Sequence, residues 1–198
     1  HVVLAAAKVF KKRLERSGKY TVFLTRDRDV FVRLRDRIAF ARSKNAELFL
    51  SIHADSTKSN KVRGMSVYTL SERASDKEAA ALAEKENKSD LIAGVDLSTN
   101  SREVNDILID LAQRESMNES SRFASVLVGK LASVGRLLPN SHRFAGFAVL
   151  KATDVPSVLV ELGFLSNTLD ARALLSGTYR IKVADALFQA IEEYFNPA

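Results

Sequence analysis

Cysteine is absent from this 198-residue chain, which excludes disulfides, thiolate nucleophiles and cysteine-ligated zinc together. Histidine is scarce. His1, His53 and His142 are the whole supply, so a bound metal has to rely on few nitrogen donors and on carboxylate oxygens. No apolar run approaches the roughly 20 residues of a membrane span, so membrane insertion is not expected. No signal peptide is evident, and a first residue of His rather than Met reads as a cut or processed chain. A Gly-rich phosphate loop and an aromatic-basic RNA motif are also missing.

What is present is an excess of base: 30 Lys and Arg against 24 Asp and Glu, a formal charge of +6. Such a balance suits a polyanionic partner, whether nucleic acid, an anionic membrane surface or an acidic cell-wall polymer. The basic residues are nevertheless interleaved with acids and apolar positions, as in Arg33-Leu34-Arg35-Asp36-Arg37, and a solvated helix face explains them equally well. A nucleic-acid reading therefore rests on net charge alone. The length fits one domain over residues 1–198, enough to bury roughly two-thirds of the unfolded surface.

Hydrophobic periodicity predicts an α/β fold: a single-layer, mostly parallel or mixed β-sheet flanked by helices, with a helical insertion. Residues 2–16 read as an amphipathic helix through Ala6, Phe10 and Leu14, then Tyr20–Thr25 as a strand and Phe31–Lys44 as a helix. Strands are expected at Leu48–Ile52, Gly64–Leu70 and Val155–Val160. Residues 72–118 change character, being charged and Ala/Ser-rich, with helical pieces at 75–86 and 101–116, and they read as an insertion rather than a second domain. A helix from Glu119 to Val134, a loop holding Leu137 and Leu138, and a last helix from about Leu169 to Phe195 complete the expectation. Leu174, Leu175, Ile181, Ala184, Leu187, Ile191 and Phe195 form that helix's predicted core face, with Ser166-Asn167 as cap candidates.

Two of these strands end on chemistry. Leu48-Phe49-Leu50-Ser51-Ile52 delivers His53 to its carboxyl end, and Val158-Leu159-Val160 delivers Glu161, with Gly163 turning the chain directly afterwards. Ligands of open α/β sheets gather beyond the carboxyl ends of the strands. A carboxylate ending an apolar run is costly to bury unless it is paired, metal-bound or shifted in pKa. His142 reads as a surface-loop residue, with substrate contact as the alternative. Arg143 beside it is a candidate for holding a carboxylate of an anionic ligand, since arginine matches carboxylate geometry.

Thr25-Arg26-x-x-Asp29, Leu34-x-x-Arg37, Ala46-Glu47-Leu48-Phe49-Leu50-Ser51-Ile52-His53-Ala54-Asp55 and Pro156-Ser157-Val158-Leu159-Val160-Glu161-Leu162-Gly163-Phe164-Leu165-Ser166-Asn167 occur in this order along nearly the whole chain. Together they resemble the zinc-dependent N-acetylmuramoyl-L-alanine amidases. The resemblance implies that His53 is a zinc ligand and Glu161 the catalytic carboxylate. It also implies hydrolysis of the amide between N-acetylmuramic acid and L-alanine of peptidoglycan. The family opens with a strand ending in D-P-G-H-G-G and then an E-K pair, which supply two further ligands. This sequence begins at the following helix, so the chain as it stands is expected to bind zinc weakly and to be inactive; His1 is not taken as a substitute ligand.

In the cell-division branch of that family, a helical segment plugs the site with a glutamate on the zinc until a LytM-domain activator protein withdraws it. Residues 72–118 stand in the matching place, which implies autoinhibition, with Glu103 as the favoured blocking carboxylate and Asp106 and Glu115 as rivals. The resemblance further implies a periplasmic protein. A different class of function stays open: a non-catalytic peptidoglycan-binding or regulatory module with the same fold.

Overall fold

The computed structural model describes residues 1–92, 106–152 and 154–197. Among them, four strands form one mixed sheet: β1 (Phe49–His53), β2 (Met65–Leu70), β3 (Leu137–Ala145) and β4 (Ser157–Glu161), in the order β1-β4-β2-β3. β1 and β4 are parallel, β4 and β2 antiparallel, and β2 and β3 parallel. Helices α1 (Val2–Glu15), α5 (Asp106–Leu131) and α7 (Gly177–Phe195) cover one face. The other is covered by α2 (Leu34–Ser43), α3 (Lys77–Asn87) and a short 3-10 turn at Ala148–Leu150. Two smaller helices, α4 (Ser89–Ile92) and α6 (Thr168–Leu175), complete the set.

The near-continuous apolar run of β4 follows from this sandwiching, because a strand covered on both faces has no water-facing side. Val158 and Val160 enter the core shared with α1, α5 and α7, whereas Leu159 enters the core shared with α2 and α3. Alternation then puts Glu161 on the α2/α3 face with Leu159, and His53 on that same face with Phe49. Both site residues therefore point towards the layer that contains α3.

Several expectations are corrected. Tyr20–Thr25 joins no ladder, since a strand needs a hydrogen-bonded neighbour; the segment lines a cavity together with β1 instead. The helices expected at 101–116 and Glu119–Val134 are, over the described residues, one 26-residue helix, α5, which reaches the core layer through Phe123, Leu127 and Leu131. Leu137, Leu138 and His142 lie on β3 rather than in a loop, held there by parallel pairing with β2. The last helix is two helices, because Ser176 leaves helical geometry and its hydroxyl caps α7 by accepting from Tyr179 N–H. That break resets the helical phase, which leaves Leu175 66% and Ile181 56% exposed while Leu174 and Leu187 are buried. Asn167 caps α6 as expected, accepting from the Leu169 and Asp170 N–H groups.

Candidate active site

His53 and Glu161 are register partners at the carboxyl ends of the adjacent parallel strands β1 and β4. His53, though not Glu161, lines a cavity of about 680 Å3 together with Arg26, Arg37, Asp55, Glu86 and Ser89. Glu161 is fully buried. Its Oε1 accepts the Asp55 backbone N–H at 2.7 Å, while its Oε2 has no hydrogen-bond partner. Burial pushes the Glu161 pKa well above the ordinary carboxylate value, the Asp55 hydrogen bond opposes this, and the nearby Asp55 and Glu86 charges add to it.

The His53 ring is held at both nitrogens. Nε2 lies 2.8 Å from Ser51 Oγ, and Nδ1 lies 3.3 Å from Glu86 Oε2. Burial lowers the His53 pKa to about 4, with the Arg37 charge adding to the fall and Asp55 opposing it, so the imidazole is neutral at neutral pH. One tautomer suits both contacts, with Nδ1–H facing Glu86 and Ser51 donating to Nε2; the other, with Nε2–H donating to Ser51, would turn the Nδ1 lone pair towards the Glu86 carboxylate. Glu86 is itself pushed up, by burial first and then by Asp55.

Helix α3 presents a pair of charges to the site. Glu86 meets His53, and the preceding Lys85 pairs with the Asp55 carboxylate. The helix is anchored at both ends. Asp76 caps its start by accepting from Ala79 N–H at 2.8 Å and pairs with Arg143 of β3 at 3.3 Å. Asn87 ends it by donating to Gly146 O at 2.8 Å and accepting from Ala148 N–H at 2.7 Å. Beyond it, Asp90 of α4 accepts Leu34 N–H at 3.0 Å and so caps α2.

The sequence-predicted pair is thus brought together, and the other candidates are not. Arg143 does not line the cavity; its guanidinium holds Asp76 and the Asn140 and Pro139 carbonyls. His142 bonds Thr69 Oγ1 at 3.1 Å on β2. His1 is exposed beside Asp29. Glu103 lies outside the described residues, as does the Asp106 side chain, and Glu115 is exposed on α5. Sequence reasoning missed Glu86, because Ala79-Ala80-Ala81-Leu82-Ala83-Glu84-Lys85-Glu86 reads as an ordinary solvated helix whose acids look alike. Only its helical phase, one turn beyond the buried Ala79 and Ala83, hinted that Glu86 faces inward.

Comparison with known proteins agrees with the architecture. Over 195 residues the chain is 39% identical to N-acetylmuramoyl-L-alanine amidase AmiC of Escherichia coli O6:H1, covering 98% of this chain and 46% of that protein. It is 38% identical over 197 residues to AmiA of Escherichia coli K12, covering 99% of this chain and 68% of AmiA. The chain thus spans about half the length of the AmiC relative. The solved catalytic domain of CwlV, an N-acetylmuramoyl-L-alanine amidase from Bacillus (Paenibacillus) polymyxa var. colistinus, superposes with a TM-score of 0.63 at 25% identity, covering 98% of this chain and 83% of that one. The sequence profile described as N-acetylmuramoyl-L-alanine amidase matches residues 1–193, and the chain belongs to that family.

Proposed function

We propose that the chain is the catalytic part of a zinc-dependent N-acetylmuramoyl-L-alanine amidase. Its reaction is hydrolysis of the amide joining the lactyl group of N-acetylmuramic acid to L-alanine of the peptidoglycan stem peptide. The observation that carries this reading is the His53–Glu161 pair, in register on adjacent strands, with a buried and unpartnered Glu161 Oε2.

A neutral imidazole and carboxylate oxygens are donors that zinc accepts, and the orphaned oxygen beside them fits a bound group. Among the described residues, however, no group of three His, Asp or Glu is placed to hold a metal, so the 198-residue chain is expected to bind zinc weakly. His53 is this chain's ligand candidate. When bound, zinc would polarise the scissile carbonyl and acidify the attacking water. Glu161 moves the proton at Oε2, since Oε1 is committed to Asp55 N–H. It takes the proton from the attacking water and passes it to the L-alanine amine as the C–N bond breaks.

The contacts of α3 support a blocked resting state. With its carboxylate against His53, Glu86 is a further candidate for the blocking role, beside Glu103, which the resemblance implies and which lies outside the described residues. A LytM-domain activator that draws α3 aside during cell division in the periplasm completes the reading. A second reading, a non-catalytic peptidoglycan-binding module, is favoured by the want of a three-ligand group among the described residues.

Zinc content and muropeptide release by the full-length protein separate the two. Glu161→Gln should leave zinc bound and cut hydrolysis about 100-fold or more, while Glu86→Ala should raise basal hydrolysis. Peptidoglycan binding with no stem-peptide release from any version would overturn the enzyme reading.

A further inference from the structure

We infer that Asp170 is the positioning residue for Glu161, an inference that rests on the amidase reading above. Asp170 lies in the first turn of α6, yet its buried carboxylate does more than face that helix's own amides. Its Oδ2 accepts two backbone N–H groups from different parts of the sheet: Gly64 at 2.8 Å and Phe164 at 3.1 Å. Its Oδ1 lies 3.6 Å from Arg63 Nε, a buried nitrogen with no hydrogen-bond partner.

Both amides lie just beyond the catalytic carboxylate. Gly64 leads into β2, where Ser66 is the register partner of Glu161, and Phe164 follows Glu161 in the turn after β4. One carboxylate oxygen therefore ties β2 to β4 just beyond Glu161. Bonds from backbone N–H groups to an ionised carboxylate are shorter and stronger than neutral ones, so this tie is stiff.

The turn it holds needs holding. Gly163 has φ +139°, a conformation open to glycine and strained for other residues, and a Cβ there would lie 3.0 Å from Asp170 Oδ2. The most flexible residue type thus sits between Glu161 and the point where Asp170 grips the chain. Glu161 has one side-chain hydrogen bond, to Asp55 N–H, so the place of its free Oε2 relative to His53 is set by the backbone on either side. Without Asp170, the Phe164 amide loses its acceptor, the Gly163 turn relaxes, and the carboxylate shifts against the scissile bond. Misplacement of a catalytic group by about 1 Å costs on the order of 100-fold in rate.

The test uses the full-length protein in a Glu86→Ala background, with kcat, KM and zinc content read on folded material. Asp170→Ala should lower kcat by roughly tenfold to 100-fold, with KM within about twofold and zinc unchanged. Asp170→Asn keeps a carbonyl oxygen for both N–H groups but loses the charge; it should recover part of the rate, leaving kcat roughly two- to tenfold down. A purely structural role in α6 predicts a lower melting temperature with kcat intact. That result, or a raised KM at constant kcat, overturns the inference. Where Asp170→Ala does not fold, Asp170→Asn decides alone: the two- to tenfold loss at constant KM supports the inference, and an unchanged kcat overturns it. Should the Asp170-containing parent itself release no stem peptide, the amidase reading fails and takes this inference with it.

Discussion

Glu86 Oε2 lies 3.3 Å from Nδ1 of His53, which places a carboxylate of helix α3 on the one imidazole that lines the cavity. A carboxylate held there competes with any group that has to reach His53. Replacing it removes that competition without touching the β1–β4 pair. In the full-length protein, Glu86→Ala should therefore raise activator-free muropeptide hydrolysis by roughly tenfold, within the usual range of coupling between a regulatory contact and a site. Basal turnover that stays at the parental level would take the blocking role away from Glu86.

Asn87 makes the corresponding prediction for the anchor of α3. Its side chain donates to Gly146 O and accepts from Ala148 N–H, satisfying two backbone groups where the helix ends. Asn87→Ala leaves both unpaired and should cost about 1–3 kcal/mol in urea denaturation. It should also speed hydrogen exchange along α3 relative to β4. If exchange in α3 stays parental, the helix is held by its packing through Ala79 and Ala83 instead.

How far the sequence could be read follows from what each signal depends on. The β1 and β4 strands were legible because a short apolar run ending on a polar residue is local, and register then brings His53 and Glu161 together without further information. Ser166-Asn167 was legible as a cap for the same reason. The Tyr20–Thr25 segment has the composition of a strand, but pairing depends on a neighbour that composition cannot supply. In the α6–α7 region, apolar spacing runs through Ser176 almost unbroken, so the reset that exposes Leu175 and Ile181 was hidden. Glu86, Asp90 and Asp170 act on residues far along the chain, at His53, Leu34 and Gly64. Such contacts are set by the packing of layers rather than by any local pattern.

Gly163 offers a direct check on the turn behind Glu161. Alanine there would have to adopt φ near +139° with its Cβ 3.0 to 3.2 Å from three Asp170 atoms. Strain of this kind costs of order 1–3 kcal/mol. Gly163→Ala should lower stability by about that amount in denaturant and reduce kcat in the full-length protein. An alanine variant with parental stability would mean that the turn relaxes freely and that its backbone is not constrained as described.

The alkaline limb of stability rests on the tyrosines. All four have raised pKa values, each through burial first. Tyr20, Tyr179 and Tyr194 are pushed up to about 12, with the Glu192, Asp170 and Glu119 charges respectively adding to the shift. Tyr20 donates to Glu192 at 2.5 Å, Tyr194 to Glu119 at 2.9 Å and Tyr179 to the Leu162 carbonyl at 3.1 Å, and ionisation would break each bond. A folded-state pKa above the unfolded value near 10 means that the native chain keeps protons the unfolded chain releases. The stabilisation is complete below pH 10 and is lost as pH rises from there through about 12. Stability measured by urea denaturation should fall steeply across that window, and phenolate absorbance should grow only as the chain unfolds. In Tyr194→Phe the fall should be shallower, because one of the linked protons is gone. Phenolate formation near pH 10 in chains that remain folded would show that these hydroxyls are free of their carboxylate and carbonyl partners, and the alkaline loss would then need another source.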